Sequence, residues 1–137
     1  ATRTAMAFLM AAYDEEEVRG ELRTVLRFDP RLAPYTMAVL PLSKKPELVG
    51  PSREVLGLLQ PHWMCDYDET QAIGRRYRRQ DEIGTPYCVT VDGDTLSEDV
   101  VTVRHRDSME QDKVAIADLR AYLEEASRNW VRPTPKD

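Results

Sequence analysis

The chain has 137 residues, of which 42% are apolar and 31% are charged. This length supplies one hydrophobic core and is too short for two ordinary domains. The formal net charge of -5 excludes a protein that coats nucleic acid by its bulk charge, although it leaves a local basic site open. Cys65 and Cys88 are too few for a disulfide framework, so we expect reduced core thiols. No segment has the length of a membrane span or the pattern of a targeting signal, so we expect a cytoplasmic protein.

The beginning of the chain differs in pattern from the rest. Residues 4–13 carry apolar side chains at helical spacing, which predicts a helix. Residues 14–17 are all acidic, and Gly20 precedes a proline-containing stretch, a pattern typical of a linker. We therefore expect the compact domain to occupy residues 22–130, with its core starting near Val25.

The middle of the chain alternates predicted strands and helices. In chain order these are a strand over residues 35–42, a loop over 44–51, a helix over 52–60, a short strand over 64–67, a helix over 72–83 and a strand over 87–91. The first strand is apolar on both faces, as expected for a central strand that is covered on both sides. Gly84 is suited to end the second helix because glycine readily adopts the left-handed conformation.

The last third of the chain predicts an antiparallel pair of strands and a closing helix. Residues 92–94, Asp-Gly-Asp, indicate a tight turn, and residues 100–104 supply the returning strand. Residues 113–116 predict a fifth strand, and Asp118 is a candidate cap for a helix that extends to Trp130. The whole pattern predicts an α/β fold, a mixed five-stranded sheet flanked by helices, followed by a frayed tail over residues 131–137.

The most unusual segment, GRRYRRQD at residues 74–81, contains Arg75, Arg76, Arg78 and Arg79. At about 100° per residue, three of these arginines fall within an arc of about 100°, with Arg76 at its edge. Guanidinium groups bind phosphate and stack on bases, so this face is a candidate RNA-binding site. The alternative is an ordinary solvated face, on which Arg78 pairs with Glu82 four residues later.

Other candidate sites are weaker. Asp66 and Asp68 flank Tyr67 and have the chemistry of metal ligands, but acidic residues at a strand end are more often surface or capping groups. His62 and His105 have no neighbouring serine or cysteine pattern that indicates a nucleophile. No phosphate-loop, dinucleotide or zinc pattern is present, so the residues alone do not predict an enzyme.

Residues 73–92, IGRRYRRQDEIGTPYCVTVD, resemble the C-terminal part of the single-chain bacterial class II glycyl-tRNA synthetases. Residues 22–44 are similar to the stretch that leads into the anticodon-binding domain of that family, and residues 101–116 to its closing hairpin. Residues 2–17 are similar to the end of the family's catalytic domain, with Arg3 at the position of an ATP-contacting arginine. The resemblance covers nearly all of residues 22–125.

This resemblance implies the fold of the class II synthetase anticodon-binding domain for residues 22–130. Residues 1–21 would then be the remnant of a catalytic domain and its linker. We expect no cofactor in this chain, with ATP and Mg²⁺ belonging to a parent enzyme that is a homodimer. Because the earlier motifs of the synthetase core are absent, catalysis by this chain alone is not expected. The expected partner is the tRNA for glycine, and neither DNA nor a membrane.

The resemblance also implies base-contacting residues. By position, Arg104 matches an arginine that contacts anticodon bases in the related threonyl enzyme. From their chemistry, the four arginines at 75–79 are candidates to contact the RNA backbone or an exposed loop. The last two anticodon bases for glycine are cytosines, whose amino groups donate hydrogen bonds, and Glu82, Asp92 and Asp94 are candidate acceptors. The alternative from a different class is a stand-alone interaction or accessory module of the same fold that binds no RNA.

Overall fold

The computed structural model describes residues 12–18, 21–70 and 72–133. The strands are β1 (Tyr13–Val18), β2 (Glu21–Leu26), β3 (Met37–Pro41), β4 (Cys65–Tyr67), β5 (Tyr87–Val91), β6 (Val100–His105) and β7 (Gln111–Ala115). The helices with described bounds are α1 (Pro46–Leu59), α2 (Ile73–Ile83), α3 (Gly93–Glu98) and α4 (Ile116–Arg128).

A mixed five-stranded sheet with the strand order β4-β3-β5-β6-β7 forms the centre of the domain. Strand β3 pairs in parallel with β4 and β5, whereas β6 is antiparallel to both β5 and β7. Every residue of β3 and β5 is buried. The predicted mixed sheet and its two-sided central strand are therefore confirmed.

Helices cover the two faces of this sheet unequally. On one face, α1 and α4 bury the apolar side chains of the main core, which include Val55, Leu59, Leu119 and Leu123 over Val39, Val89 and Val103. On the opposite face, α2 lays Ile73 and Tyr77 on a smaller cluster of Ala38, Leu40 and Cys88. We call this second side the α2 face of the sheet. Gly84 ends α2 with a φ of 92°, as predicted.

The acidic run is not a linker, contrary to the prediction. Residues 14–17 lie within β1, which pairs with β2 as an antiparallel hairpin. Asp14 and Glu16 alternate onto one side of the hairpin and form ion pairs with Arg23 and Arg27, both of which are buried. The prediction was wrong because the sequence does not show that Arg23 and Arg27 lie opposite two of the four acidic residues and neutralise their charge. Tyr13 is likewise the first residue of β1 and not the end of a helix. Of the rest of that predicted helix, Ala12 is described and is helical, and residues 4–11 lie outside the described residues.

Helix α1 begins six residues before the predicted start, because its two prolines do not break it. Pro46 stands at the start of the helix, where its fixed φ is favourable and its missing N–H costs nothing. Pro51 lies inside the helix. Leu48, Val55 and Leu59 nevertheless bury one continuous stripe, and this burial outweighs the hydrogen bond that Pro51 cannot donate.

The segment between β5 and β6 forms a short helix and not the predicted tight turn. Asp92 caps α3 by accepting a hydrogen bond from the Asp94 backbone N–H at 3.0 Å, and the Asp92 N–H donates in return to the Thr95 hydroxyl at 3.1 Å. The predicted antiparallel pairing of β5 and β6 is confirmed. Strand β7 starts two residues earlier than predicted, and α4 begins after Ala115, so Asp118 lies in its first turn and is not its cap.

Candidate nucleic-acid interface

The four arginines of α2 do not share one accessible face. Arg76 is buried, and its guanidinium donates hydrogen bonds to the backbone carbonyls of Pro41 at 2.6 Å, Asp68 at 2.9 Å and Leu42 at 3.1 Å. This burial lowers the pKa of Arg76. Its charge holds the start of α2 against the end of β3, and its guanidinium is not accessible to a ligand.

The other three arginines differ in their availability. Arg79 forms an ion pair with Asp68, whereas Arg75 is exposed. Arg78 is half-buried, and its Nη1 atom is buried without a hydrogen-bond partner among the described residues. The predicted ion pair between Arg78 and Glu82 is absent from the described part of the chain, where the α2 arginine in an ion pair is Arg79. Arg75 and Arg78 are therefore the α2 arginines that have neither an ion pair nor full burial among the described residues, and Arg75 is the more exposed of the two.

Arg104 lies beneath the surface, where Asp81 occupies its hydrogen-bond donors. Its side chain is 6% exposed, and its two terminal nitrogens donate to the two carboxylate oxygens of Asp81 at 2.9 Å and 3.1 Å. Burial by itself would lower the pKa of Arg104, but the hydrogen bonds and charge of Asp81 outweigh it and raise that pKa. The guanidinium also lies 4.7 Å from the ring centroid of Tyr77, a cation–π contact. The base-contacting role implied for Arg104 stays a prediction, and the observed contacts make it a support for Tyr77.

Asp81 joins three separate elements through charge. Besides Arg104 on β6, its Oδ2 atom accepts a hydrogen bond at 3.0 Å from Nε of the buried Arg23 on β2. Arg23 also contacts Glu16 on β1 and the backbone carbonyl of Arg106 after β6. These contacts hold the β1–β2 hairpin, α2 and β6 together. The sequence carried no signal for this cluster, because its members lie 58 and 83 residues apart.

The three candidate acceptors for cytosine do not lie at one place. Asp92 is engaged as the cap of α3, and Asp94 beside it forms an ion pair with Lys113 of β7. Glu82 is exposed in the last turn of α2. Asp92 and Asp94 are thus brought together at the start of α3, and Glu82 lies apart from them on a different element.

A row of polar side chains crosses the α2 face of the sheet. Thr90 of β5 is opposite Thr102 of β6, which is opposite Lys113 of β7. Tyr77 covers Thr90 and shares a 2.6 Å hydrogen bond with its hydroxyl. Thr102 is only half-buried and Lys113 is exposed, so the row opens toward solvent on the side of β6 and β7. We call Thr90, Thr102 and Lys113 the polar row.

The polar row could not be predicted from the sequence, because its three residues become neighbours only through the register of β5, β6 and β7. Thr102 and Arg104 alternate along β6, and the pairing of β6 with β7 places Lys113 on the same side as both. Asp94 raises the pKa of Lys113 through a hydrogen bond and its charge, so the amine is protonated at neutral pH. Hydroxyl groups that donate and accept hydrogen bonds thus lie next to a cation and a carboxylate.

An open polar sheet face beside helix cations suits one class of ligand in particular. Unpaired bases of a single-stranded nucleic acid expose their hydrogen-bonding edges and their flat faces, and such a surface can contact both. Arg75 and Arg78 on the neighbouring helix supply charges for the phosphates. The fold and the site therefore define an α/β domain whose polar sheet face is suited to contact with unpaired nucleic-acid bases.

Comparison with known proteins gives the particular family. The family described as "Anticodon binding domain" matches residues 36–126, more than half of the chain. The chain belongs to this family, and the expected anticodon-binding-domain fold is confirmed.

The chain is also similar to curated proteins named "Glycine--tRNA ligase". It is 55% identical over 131 residues to the one from Clostridium perfringens, 56% identical over 126 residues to that from Corynebacterium efficiens, and 57% identical over 125 residues to that from Ruminiclostridium cellulolyticum. These matches cover 92%, 88% and 90% of the chain but only 28%, 27% and 27% of the relatives. The chain thus spans less than a third of the length of these relatives.

Two further expectations concern metals and membranes. Among residues 12–18, 21–70 and 72–133, no group of three or more potential metal-ligating side chains occurs. Asp66 accepts a hydrogen bond from Gln80, and Asp68 accepts one from Thr70 besides pairing with Arg79. No helix in the described part of the chain is long and apolar enough to cross a membrane. Arg3, the predicted ATP-contacting residue, lies outside the described residues.

Proposed function

We propose that this chain is the anticodon-recognising domain of a glycine–tRNA ligase and that it binds the anticodon loop of the glycine tRNA. The observation that carries this proposal is the identity of about 55% to proteins of that name, over a stretch that includes the anticodon-binding family match at residues 36–126. The polar row, Arg75 and Arg78 support it as the surface on which the unpaired bases lie.

Asp94 and Lys113 are the pair that this proposal assigns to base reading. Both side chains are about half exposed, at 49% and 61%, so their ion pair is within reach of a base at the edge of the polar row. An exposed ion pair contributes little to stability and is readily exchanged for other partners. When RNA binds, Asp94 accepts a hydrogen bond from the amino group of a cytosine, and Lys113 turns to a phosphate.

The acidic balance of the chain is compatible with this partner. Phosphate contacts need a few local cations, here Lys113, Arg75 and Arg78, and acidic groups elsewhere reduce nonspecific binding. Two buried arginines support this surface without contacting the RNA: Arg104 packs against the ring of Tyr77, and Arg76 holds the start of α2 against the end of β3. Binding by this domain alone is expected to be weak, because the rest of the ligase shares the contacts to tRNA.

The remaining expectations concern the whole ligase. In this proposal the ligase attaches glycine to its tRNA in the cytoplasm, and ATP and Mg²⁺ bind to parts of the enzyme other than the described residues of this chain. The homodimer expected of the ligase is part of the same proposal.

The proposal is tested by fluorescence anisotropy with a labelled glycine anticodon stem–loop and with a second one in which both anticodon cytosines are replaced by uracil. The chain is expected to bind the cytosine-containing RNA more tightly by about 1 to 3 kcal/mol per base read. Asp94→Asn should remove part of this preference, and Lys113→Ala should reduce the salt dependence of binding by about one unit of slope.

The matched control is Arg120→Ala on α4, an exposed cation on the opposite face of the sheet that pairs only with Glu124 among the described residues. It should leave both the affinity and the salt dependence unchanged. Equal affinity for the two RNAs would contradict base reading by this surface. The absence of binding to either RNA, also at low salt, would contradict the proposal and favour the accessory-module alternative. Replacing Arg104 is a poor test because the loss of its contact with Asp81 destabilises the fold.

A further inference from the structure

A groove of about 190 Å³ lies between α1, α3 and the start of α4. The buried Val55 and the half-buried Ile116 contribute apolar surface to its lining. Leu58 of α1 and Leu96 of α3 also line the groove, although they are 55% and 48% exposed. Large apolar side chains that line a concave surface and yet remain exposed to water are typical of a contact site for another molecule. We call this feature the α1–α3 groove.

Two carboxylates give the groove a negative charge. Glu54 of α1 and Asp99 after α3 both line it. Neither belongs to the described carboxylates that pair with an arginine or a lysine, which are Asp14, Glu16, Asp29, Asp68, Asp81, Asp94, Asp107 and Glu124. A cation entering the groove would therefore find acceptors that are not already neutralised within the described part of the chain.

The size and charge of the groove indicate whether a small molecule, an RNA backbone or a polypeptide segment fits it best. Pockets for cofactors and drug-sized molecules usually have volumes of about 300 to 1,000 Å³, so this groove has room for only one or two side chains. Its carboxylates repel phosphate groups, which excludes an RNA backbone. A polypeptide segment with leucine-like and basic side chains matches both the apolar lining and the charge.

We propose that the α1–α3 groove docks a basic, leucine-containing segment of a partner protein. The groove lies away from the polar row, because α3 separates them: Asp94 of α3 reaches Lys113 of the polar row, whereas Leu96 and Asp99 line the groove. The residues that line the groove are therefore different from those of the polar row. This inference does not depend on the proposed anticodon recognition.

The test is a heteronuclear NMR titration of the full chain with a short blocked peptide that carries leucines and lysines on one helical face. The amide signals of Leu58, Leu96 and Asp99 are expected to shift, while those of Thr102 and Lys113 stay in place. The double variant Leu58→Ser with Leu96→Ser should weaken binding by about tenfold or more, since both leucines lose their apolar contact.

A second variant tests the charges. Glu54→Gln with Asp99→Asn should weaken peptide binding about two- to tenfold at low salt, and asparagine suits position 99 because its φ of 53° lies in the left-handed region. The control, Glu110→Gln with Glu125→Gln, removes the same charge from exposed sites outside the groove and should leave binding unchanged.

Three outcomes would overturn the proposal. The first is that the peptide does not bind at millimolar concentration. The second is equal binding of a peptide in which glutamate replaces every lysine, because that would exclude charge complementarity. The third is that light scattering shows self-association that the leucine variants abolish, because the occupant would then be a second copy of this chain.

Discussion

The substitution Asp81→Asn tests whether the buried ion cluster holds the domain together. Asp81 is fully buried and binds two arginines that are themselves almost fully buried, Arg23 and Arg104. Asparagine has nearly the same shape, but it carries no charge and replaces one acceptor oxygen with a donor group. The substitution would leave Arg104 buried without an ion-pair partner among the described residues, while Arg23 would keep Glu16.

The expected cost follows from this burial. Removing one partner of a buried ion pair typically costs about 3 to 5 kcal/mol, because the remaining charge stays in a medium of low polarity. For a domain of this size, each kcal/mol corresponds to about 3 to 5 °C of melting temperature, so Asp81→Asn is expected to lower Tm by about 10 to 25 °C. Against a typical total stability of about 5 to 15 kcal/mol, this loss is large.

The assay is urea denaturation followed by circular dichroism. The control Glu124→Gln removes a carboxylate from an exposed pair with Arg120 on α4 and should cost less than about 0.5 kcal/mol. In an Arg104→Met background, Asp81→Asn should cost at least about 1 kcal/mol less than in the parent chain, because the two residues are coupled. A loss below about 1 kcal/mol in the parent, or an equal loss in both backgrounds, would refute the reasoning.

Two further predictions concern backbone and pH. Gly84→Ala, at a φ of 92°, places a Cβ atom against the Phe28 ring and 2.9 Å from the Leu26 carbonyl oxygen, so it should cost about 2 to 4 kcal/mol in urea denaturation. Gly57→Ala, with open space around its position in α1, should instead gain up to about 1 kcal/mol. If Gly84→Ala were as stable as the parent chain, the left-handed, closely packed conformation of Gly84 at the end of α2 would be contradicted. Burial opposes ionisation of Glu16, but the hydrogen bond and charge of Arg23 outweigh it and lower the pKa of Glu16. A carboxylate whose pKa is lowered by folding stabilises the fold above its unfolded pKa, and this stabilisation is lost as the pH falls through the folded pKa. The free energy of unfolding of Glu16→Gln should therefore fall less between about pH 5 and pH 3 than that of the parent chain. Identical pH dependence of the two free energies would show that Glu16 does not cause the acid destabilisation.

Strands and helices whose signal is local were predictable from the sequence. The apolar runs that became β3 and β5 contain enough apolar side chains on both faces to be central strands in almost any packing. Gly84 ended α2 as predicted, because the left-handed conformation depends on one residue and not on its neighbours in space. The resemblance of residues 22–125 to an anticodon-binding domain also came from the sequence.

Elements whose stability depends on distant partners were mispredicted. The acids of β1 look like a solvated run until Arg23 and Arg27 are placed opposite them. Helix α1 looks broken by Pro51 until the burial of its apolar stripe is known. In both cases the deciding free energy comes from contacts that short-range patterns do not contain.

The sequence by itself determined the family, the mixed sheet and the concentration of arginines in α2. Only the tertiary structure decided what those arginines do. Arg76 has carbonyl partners and Arg104 has Asp81, so both are buried, while Arg75 is exposed and Arg78 is half-buried without an ion pair in the described part of the chain. The physical reason is that burying a guanidinium costs free energy unless fixed acceptors satisfy most of its donors, and strand register and helix placement set the positions of those acceptors. The same register brought Thr102 and Lys113 together on the face where the RNA is proposed to bind.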